Sequence, residues 1–446
     1  MRRAIAVFKA PAVVILASFL VAGRLLLFIW RYAVNIPFWD QWDFLGLLFT
    51  PNPRMLDLFL LQQGPPREGL GLIATSVLYR LTSWNVRADS LAIGICVIGA
   101  MFLAIFLKWR LFHRLTYWDV LIPLIFGTLS QYETFLRTPN LAYSGFPLVF
   151  IMLYALALSI GNEMVKLAVL LTLNLALIYT GFGFFMGPVT IGVFGIYFYR
   201  ALSLTAADRI RSLAGFLLSI GSLAVFFVNY VFQPAVDCFE FPARDLMAYP
   251  WFVSLMFTMF SGIKSPLLLV TILGGIFLVG SLWVMGAQVL RVLRPAQDNR
   301  AIHLTIGVLA AYSLLFCFNT AVGRVCIGLP VAAQNSRYTT LLIPAFLALY
   351  FYVVTIPSQR WKRILLPALG IVLLPGHLHV PSSVYRELSN KKQWANCYKQ
   401  TQDIRYCDSA TNSSIYPDPE RTHLKEKLDY LQRNRLSLFS DSENNQ

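Results

Sequence analysis

Long apolar runs separated by short polar segments dominate the chain. The first run covers residues 11–30 and follows Met1-Arg2-Arg3, a start that resembles a signal peptide. The apolar run continues past Arg24, however, and is too long for the apolar region of a signal peptide. Because a membrane-crossing helix needs about 20 predominantly apolar residues, we predict that this run is an uncleaved first span.

Further apolar runs follow along the chain. They are residues 89–107, 118–131, 143–160, 164–181, 183–200, 212–232, 265–289, 302–321, 338–356 and 363–377. The pattern predicts an all-α polytopic membrane protein with about 11 transmembrane helices. Residues 250–262 are also apolar, but they reach only about half the length of a span. We expect them to form an interfacial or re-entrant segment.

Two polar stretches are too long to be simple turns, residues 31–88 and residues 378–446. Within the first, residues 67–82 alternate polar and apolar positions at helical spacing, which predicts a helix lying at the membrane interface. Residues 421–434 indicate a charged helix in the second stretch. We therefore predict a transmembrane domain at 1–377, with 31–88 as its long first outer loop, and a small outer C-terminal domain at 378–446.

Composition agrees with this architecture. Hydrophobic residues make up 57% of the chain and charged residues only 13%, about half the share that a soluble domain carries. These values exclude a soluble enzyme, a disordered protein and a small disulfide framework. The six cysteines are widely spaced, but Cys397 and Cys407 could pair if the tail lies in an oxidising compartment.

The net charge of +15 would suggest nucleic acid in a soluble protein. Here Lys and Arg collect in alternate loops while Asp and Glu collect in the others, as the positive-inside rule describes. We therefore expect the bilayer and no nucleic acid as a partner. The same pattern predicts a cytoplasmic N-terminus and an extracytoplasmic C-terminus. Arg24, a charge within the first span, should find a partner or extend to the interface.

The most informative polar segment follows the first span and reads Trp39-Asp40-Gln41-Trp42-Asp43. Carboxylates three residues apart share a face if the segment is helical. Their repulsion would favour one retained proton or a shared cation, and a general base requires such a carboxylate. The alternative is that Trp39 and Trp42 belong to an interfacial aromatic belt and that Asp40 and Asp43 are solvated.

Two further groups lie on the predicted outer side. Gln131, Glu133 and Arg137 end the third run, where Glu133 and Arg137 could form an ordinary i,i+4 pair or face an acceptor and a phosphate. Arg324 and Arg337 depart from the positive-inside pattern. An arginine fork matches phosphate oxygens, although lipid headgroups or acidic side chains could also bind these two residues.

These motifs together resemble the GT-C superfamily of membrane glycosyltransferases, and more closely uncharacterised bacterial multi-span proteins of that kind. The resemblance rests on Trp39-Asp40-Gln41-Trp42-Asp43, Gln131-Tyr132-Glu133, Gly323-Arg324 and Ser336-Arg337-Tyr338. Such relatives often carry an Asn-Glu-His-Arg-like segment later in the first loop. The corresponding stretch here, residues 62–68, reads QQGPPRE and lacks the histidine.

The resemblance implies a bacterial inner or plasma membrane enzyme that moves a sugar from a polyprenyl-phosphate donor to a glycan, lipid or protein acceptor on the outer face, with inversion. It assigns catalysis to Asp40 or Asp43. It assigns acceptor-side shaping to Trp39, Trp42, Gln131 and Glu133, and binding of the lipid phosphate to Arg137, Arg324, Arg337 and Tyr338. No cofactor is required, although Asp40 and Glu133 could hold a divalent cation, Mg²⁺ or Mn²⁺.

Two other classes of function stay open. A flippase or transporter of lipid-linked sugars would favour ionisable residues in the middle of spans and inverted repeats. A non-catalytic assembly subunit with a degenerate site would agree with the missing histidine.

Overall fold

The computed structural model describes residues 2–137, 141–234, 236–265, 267–294, 299–378 and 380–440, without the side chains of residues 2–8. Helix accounts for 76% of the structure, and no strand occurs within these ranges. The helical polytopic architecture predicted from the apolar runs is therefore confirmed. The last residues of the predicted tail, 441–446, lie outside the described ranges.

The α-helices follow one another along the chain. They are α1 Arg2–Tyr32, α2 Gln41–Phe44, α3 Met55–Phe59, α4 Gly69–Thr82, α5 Val86–Phe112, α6 Leu121–Phe126, α7 Tyr132–Leu136, α8 Phe146–Ala157, α9 Glu163–Ile178, α10 Met186–Ala201, α11 Ala206–Phe226, α12 Ala248–Thr258, α13 Leu268–Leu293, α14 Arg300–Arg324, α15 Thr339–Thr355, α16 Gln359–Leu373, α17 Pro375–Leu378, α18 Ser382–Thr401, α19 Ile404–Thr411 and α20 Leu424–Arg433.

Local side chains set several of these boundaries. The Asn85 side chain accepts a hydrogen bond from the amide of Arg87 and starts α5, and Asn162 and Thr205 start α9 and α11 in the same way. Such caps satisfy amides that have no partner within the helix. At the other end of α5, His113 adopts the left-handed conformation that commonly terminates a helix.

Within the described residues, eight helical segments are long and apolar enough to cross a membrane. They are Lys9–Tyr32, Val86–Phe112, Gly181–Ala201, Ala206–Phe226, Leu268–Leu293, Arg300–Ile327, Ser336–Thr355 and Gln359–Thr401. Each overlaps a predicted span, although the last extends beyond residues 363–377 into the predicted tail, so multi-pass membrane insertion is supported. The count of eleven is not confirmed, because three predicted spans correspond to shorter helices.

Two of these three segments are interrupted, and the third forms one helix that is shorter than predicted. The run at 118–131 is divided into a 3₁₀ turn, the six-residue α6 and a second 3₁₀ turn, with Gly127 and Thr128 between the last two. The run at 143–160 begins as a π-helical turn at Leu141–Gly145 before α8. The run at 164–181 forms the 16-residue α9. Apolar periodicity alone does not reveal these breaks.

The long helices differ in how much protein surrounds them. In the segment Ser336–Thr355, which contains α15, 78% of an apolar stretch of 18 residues is buried inside the protein. The corresponding value for α13 is only 28%. Exposed side chains on α13 include Leu268, Leu269 and Trp283, as expected for a helix that faces lipid. The segment predicted at 250–262 forms the 11-residue α12, which packs on α13 and α14 with its C-terminal half buried.

The first outer loop and the C-terminal tail share one hydrophobic core. Trp42, Leu58 and Tyr79 from the loop are buried in the same cluster as Trp394 and Leu428 from the tail. The Asn35 side chain joins the two segments by donating to the carbonyl of Ser437 at 2.9 Å. The helices predicted at 67–82 and 421–434 are present as α4 and α20.

Two disulfides join segments that the charge pattern places on the outer side. Cys397 and Cys407 pair within the tail, which is the pairing left open by the sequence. Cys238 and Cys326 also pair, with 5.9 Å between their Cα atoms, although their separation of 88 residues gave no sequence signal. The second bond joins the segment after α11 to the end of α14.

The buried charge on α1 has a partner, as expected. Arg24 donates to Nδ1 of His377 at 2.9 Å and also to the carbonyl of His377. Nε2 of the same histidine lies 2.8 Å from the carbonyl of Leu124. Since a carbonyl only accepts, Nε2 carries the proton and Nδ1 is free to accept from Arg24. This contact ties α1 to α17.

Candidate functional site

Asp40 and Asp43 follow a sharp reversal of the chain at Trp39, whose φ of 52° lies in the left-handed region. The amide of Trp39 donates to the carbonyl of Ile415 in the tail at 2.9 Å. The following helix, α2, has a single turn. As a result, the Asp40 and Asp43 carboxylates contact different residues.

Asp43 is held by the tail. Its two oxygens accept hydrogen bonds from the hydroxyls of Tyr416 at 2.7 Å and Thr422 at 3.0 Å. Burial, followed by the hydrogen bond to Asp43, raises the pKa of Tyr416. Burial lowers the pKa of Lys427, and the nearby Asp43 carboxylate opposes that shift. These contacts give Asp43 a role in joining the loop to the tail.

Asp40 faces the transmembrane helices instead. One carboxylate oxygen lies 3.4 Å from Nη1 of Arg337, and the Asp40 side chain is 44% exposed. The carboxylate is therefore held in place on one side and accessible on the other. Among the residues assigned to catalysis, Asp40 has the geometry that a base requires.

Arg337 belongs to a cationic and aromatic cluster around Tyr338. The guanidinium carbons of Arg324 and Arg337 lie 5.9 Å and 5.7 Å from the centre of the Tyr338 ring. The Tyr338 hydroxyl is buried without a hydrogen-bond partner in the described part of the chain. The cluster presents two arginine forks and a phenol, which are donors suited to phosphate oxygens.

Glu133 fixes the turn that carries Arg337. The carboxylate accepts from the backbone amides of Ser336 at 2.8 Å and Arg337 at 3.3 Å, and from Arg137 at 2.6 Å. In return, the Ser336 hydroxyl accepts from the amide of Glu133 at 2.9 Å. The predicted Glu133–Arg137 pair is thus present. Because Glu133 also binds the amides of Ser336 and Arg337, the pair stabilises the backbone turn that carries Arg337.

Arg137 is held on its other side by Glu387 of α18. Glu387 also pairs with Lys391, and both of these side chains are buried. Arg137 therefore lies between two carboxylates. This arrangement favours structural pairing over the predicted binding of a lipid phosphate.

Gln131 and Trp42 are both buried. The Gln131 amide donates to the carbonyl of Phe126 at 2.5 Å and its oxygen accepts from Thr340 at 2.8 Å. The Trp42 side chain is fully buried between the loop and the tail. In contrast, Trp39 is 46% exposed next to Asp40. Trp39 is therefore the aromatic residue of the pair that an acceptor could contact.

Sequence reasoning did not assign Glu68 to the site, yet its charge would interact with that of Asp40. Its side chain is fully buried, and its polar neighbour is the Tyr143 hydroxyl. Burial raises the pKa of Glu68 well above its usual range, the neighbouring Tyr143 hydroxyl opposes the shift, and the charge of Asp40 adds to it. Burial therefore favours the neutral form of this carboxyl.

Three close approaches hold Glu68 in that position. The amide of Gly181 donates to the carbonyl of Arg67 at 2.8 Å. Gly181 has a φ of +54°, and a side chain there would contact Tyr143. A Cβ on Gly69 would lie 1.7 Å from the carbonyl oxygen of Phe59. Tyr143 lies within electrostatic reach of Glu68, Asp40 and Arg337.

Glu68 lies in residues 62–68, the stretch that the resemblance stated above singled out for lacking a histidine. The burial of Glu68 depends on contacts with distant residues and could not be predicted from the local sequence.

The residues expected to hold a divalent cation do not fit one well. Both oxygens of Glu133 accept from N–H donors, and the partner of Asp40 is a guanidinium. Within the described ranges, no three His, Cys, Asp or Glu side chains are placed to hold a metal ion. The divalent cation stays a prediction.

No known protein family, curated protein or solved structure matches this chain. The functional conclusion therefore depends on the chemistry of the site.

Proposed function

We propose that the chain is an integral membrane glycosyltransferase of the GT-C type, which transfers a sugar from a polyprenyl-phosphate donor to an acceptor on the outer face. The supporting observation is the half-exposed Asp40 carboxylate beside Arg337, with Arg324 and the Tyr338 hydroxyl in the same cluster. A carboxylate suited to act as a base and donors suited to bind a phosphate thus lie side by side, which supports the proposal.

In the proposed reaction, Asp40 accepts the proton of an acceptor hydroxyl. The hydroxyl oxygen forms a bond to C1 of the sugar, and the bond from C1 to the phosphate oxygen breaks. The bonding electrons leave with the polyprenyl phosphate, and in-line attack inverts the anomeric centre. Arg337 and Arg324 stabilise the negative charge that develops on the leaving phosphate.

Glu68 has a supporting role in this proposal. A buried neutral carboxyl can donate a hydrogen bond without adding a second negative charge beside Asp40. Trp39 and Tyr143 would line the space that the acceptor enters.

The proposed topology has a cytoplasmic N-terminus and an extracytoplasmic tail in a bacterial inner or plasma membrane. Both disulfides agree with this orientation, because all four cysteines lie in segments assigned to the outer side and disulfides persist in oxidising compartments.

The test is transfer of radiolabelled sugar from a panel of synthetic polyprenyl-phosphate sugars, with the purified chain in proteoliposomes and membranes of a deletion strain as the source of acceptor. Asp40→Asn and Arg337→Ala should abolish transfer. Asp57→Asn is the matched control, since Asp57 lies in the same loop and pairs only with the exposed Arg54. Normal transfer by both site variants would refute the proposal.

A non-catalytic assembly subunit is the second candidate. It is favoured by the internal pairing of Asp43, Glu133 and Arg137, which leaves few free polar groups in the site. Under this candidate, the wild-type chain would transfer no sugar from any donor, yet it would co-purify with an active transferase.

A further inference from the structure

A cavity on the opposite side of the molecule is not used by the proposed reaction. It has a volume of about 1090 Å³, is open on one side and is lined by residues of α9, α10, α11, α13 and α14. Ligand sites in proteins commonly occupy about 300–1,000 Å³, so this cavity is large enough for part of a lipid. The charge pattern assigns its polar end to the cytoplasmic side.

The polar end of the cavity is predominantly basic. Four cationic side chains line it, and two carboxylates accompany them; the cations are Lys166, Arg200, Arg211 and Arg300, and the acids are Glu163 and Asp208. Each carboxylate is already paired, Glu163 with Lys166 at 2.8 Å and Asp208 with Arg211 at 3.5 Å. The lining therefore carries more positive than negative charge.

Arg200 and Arg300, the two other arginines of the lining, have different contacts. Arg200 donates through Nη1 to the carbonyls of Val292 and Arg294, at 2.5 Å and 2.8 Å, and these contacts fix its side chain at the cavity wall. Arg300 begins α14, and its buried Nε has no hydrogen-bond partner among the residues that the structure describes. A buried N–H group without an acceptor is costly, and an anionic oxygen would relieve that cost.

The inner part of the cavity is apolar. Leu158, Leu167, Leu170, Phe194 and Leu304 line it. Basic groups at one end and apolar side chains at the other match a phosphate headgroup attached to an acyl chain. Anionic lipids are enriched in the cytoplasmic leaflet, where each nearby Lys or Arg contributes about 1 kcal/mol to their attraction.

We propose that this cavity binds an anionic glycerophospholipid, with its phosphate at Arg300, Arg200 and Arg211 and an acyl chain along the apolar wall. The site is separate from Asp40 and does not depend on the proposed transferase activity. It would couple the packing of α9, α11 and α14 to the lipid composition of the membrane.

The test is binding of fluorescent phosphatidylglycerol to the purified full-length chain in detergent, with phosphatidylcholine and inorganic phosphate as competitors. Arg211→Gln combined with Arg300→Gln should weaken binding by about tenfold or more. Lysine at both positions should restore most of it. Arg360→Gln is the matched control, because Arg360 is exposed on the same predicted side and does not line the cavity.

Each outcome decides the proposal. Phosphatidylglycerol binding that is lost in the glutamine pair and retained in the lysine pair supports it, provided that all variants elute as the same monodisperse species. Equal binding by the glutamine pair would overturn it. Competition by phosphatidylcholine as strong as by unlabelled phosphatidylglycerol, or displacement by inorganic phosphate alone, would overturn the lipid assignment.

Discussion

The acidic motif after the first span contains two carboxylates that have different surroundings in the structure. Asp43 accepts from two tail hydroxyls, whereas Asp40 faces Arg337 and remains half-exposed. Both acids lie in one sequence motif. The local sequence does not indicate which of them is suited to act as a base and which accepts hydrogen bonds from the tail. That distinction depends on Tyr416 and Thr422, which lie more than 370 residues further along the chain.

This separation predicts different effects for two matched substitutions. Asp40→Asn should lower the rate of sugar transfer by at least about 100-fold, the usual contribution of a general base, and should leave thermal stability nearly unchanged. Asp43→Asn should instead destabilise the chain by about 1–3 kcal/mol, because two buried hydroxyls lose a charged acceptor. Transfer assays and thermal unfolding of both variants measure the effects. A reversed pattern would contradict the assignment.

Glu68 predicts a pH dependence of stability. Below the ordinary pKa of glutamate, both the folded and the unfolded states are protonated, so the folded state has its full stability. As the pH rises, the unfolded chain releases this proton while the folded chain, whose Glu68 pKa is raised, retains it. The free energy of unfolding therefore falls until the folded pKa is reached.

Thermal unfolding of the wild-type chain and of Glu68→Gln between pH 5 and pH 8 tests this predicted fall in the free energy of unfolding. The glutamine amide resembles the neutral acid, so the variant should be less sensitive to pH and should retain sugar transfer. Glu68→Ala should lose transfer, because the hydrogen-bonding group is absent. Identical pH profiles for wild type and Glu68→Gln would show that Glu68 is not held protonated.

At the level of the elements, apolar run length predicted the long helices well. Run length did not predict the helices correctly where an apolar run is interrupted, as at Gly127 and Thr128. It also failed where the run begins with a π-helical turn, as at Leu141–Gly145. It also gave no sign of the Cys238–Cys326 bond, because pairing over 88 residues depends on tertiary packing. Helix α4 was predicted from periodicity, but the close contacts around it were not.

The close approach of α4 to α3 predicts a strict requirement for glycine. A Cβ at Gly69 would overlap the backbone of Phe59, so Gly69→Ala should displace α4 and with it Glu68. We expect a loss of most sugar transfer and a lower unfolding temperature. Gly99→Ala is the control, since a Cβ at Gly99 meets no atom within 4 Å and alanine favours helix. Equal behaviour of the two variants would contradict this packing.

The two disulfides predict the orientation of the chain in its membrane. In intact cells, a membrane-impermeant maleimide applied after mild reduction should label Cys397 and Cys407 as well as Cys238 and Cys326. Cys96 and Cys317 are not in disulfides and lie within helices, so they should stay unlabelled. Labelling only after the membrane is permeabilised would place both disulfides on the cytoplasmic side, against the predicted topology.

For the whole molecule, the structure combines a membrane-embedded helical body with a polar unit built from both the first loop and the tail. The shared core of these two segments positions Asp40 over the ends of the long helices. On the other side, α9, α11 and α14 form the basic cavity proposed to bind lipid. The charge pattern predicted this division into two faces, although the proximity of Asp40, Glu68 and Arg337 required the fold.

The most direct test of the central claim is donor-dependent sugar transfer by the purified chain in proteoliposomes. The wild-type chain should release polyprenyl phosphate and form a glycosylated product in equal amounts. Asp40→Asn and Arg337→Ala should do neither, while Asp57→Asn should match the wild type. Equal product formation by the wild type, Asp40→Asn and Arg337→Ala would contradict the proposed glycosyltransferase site.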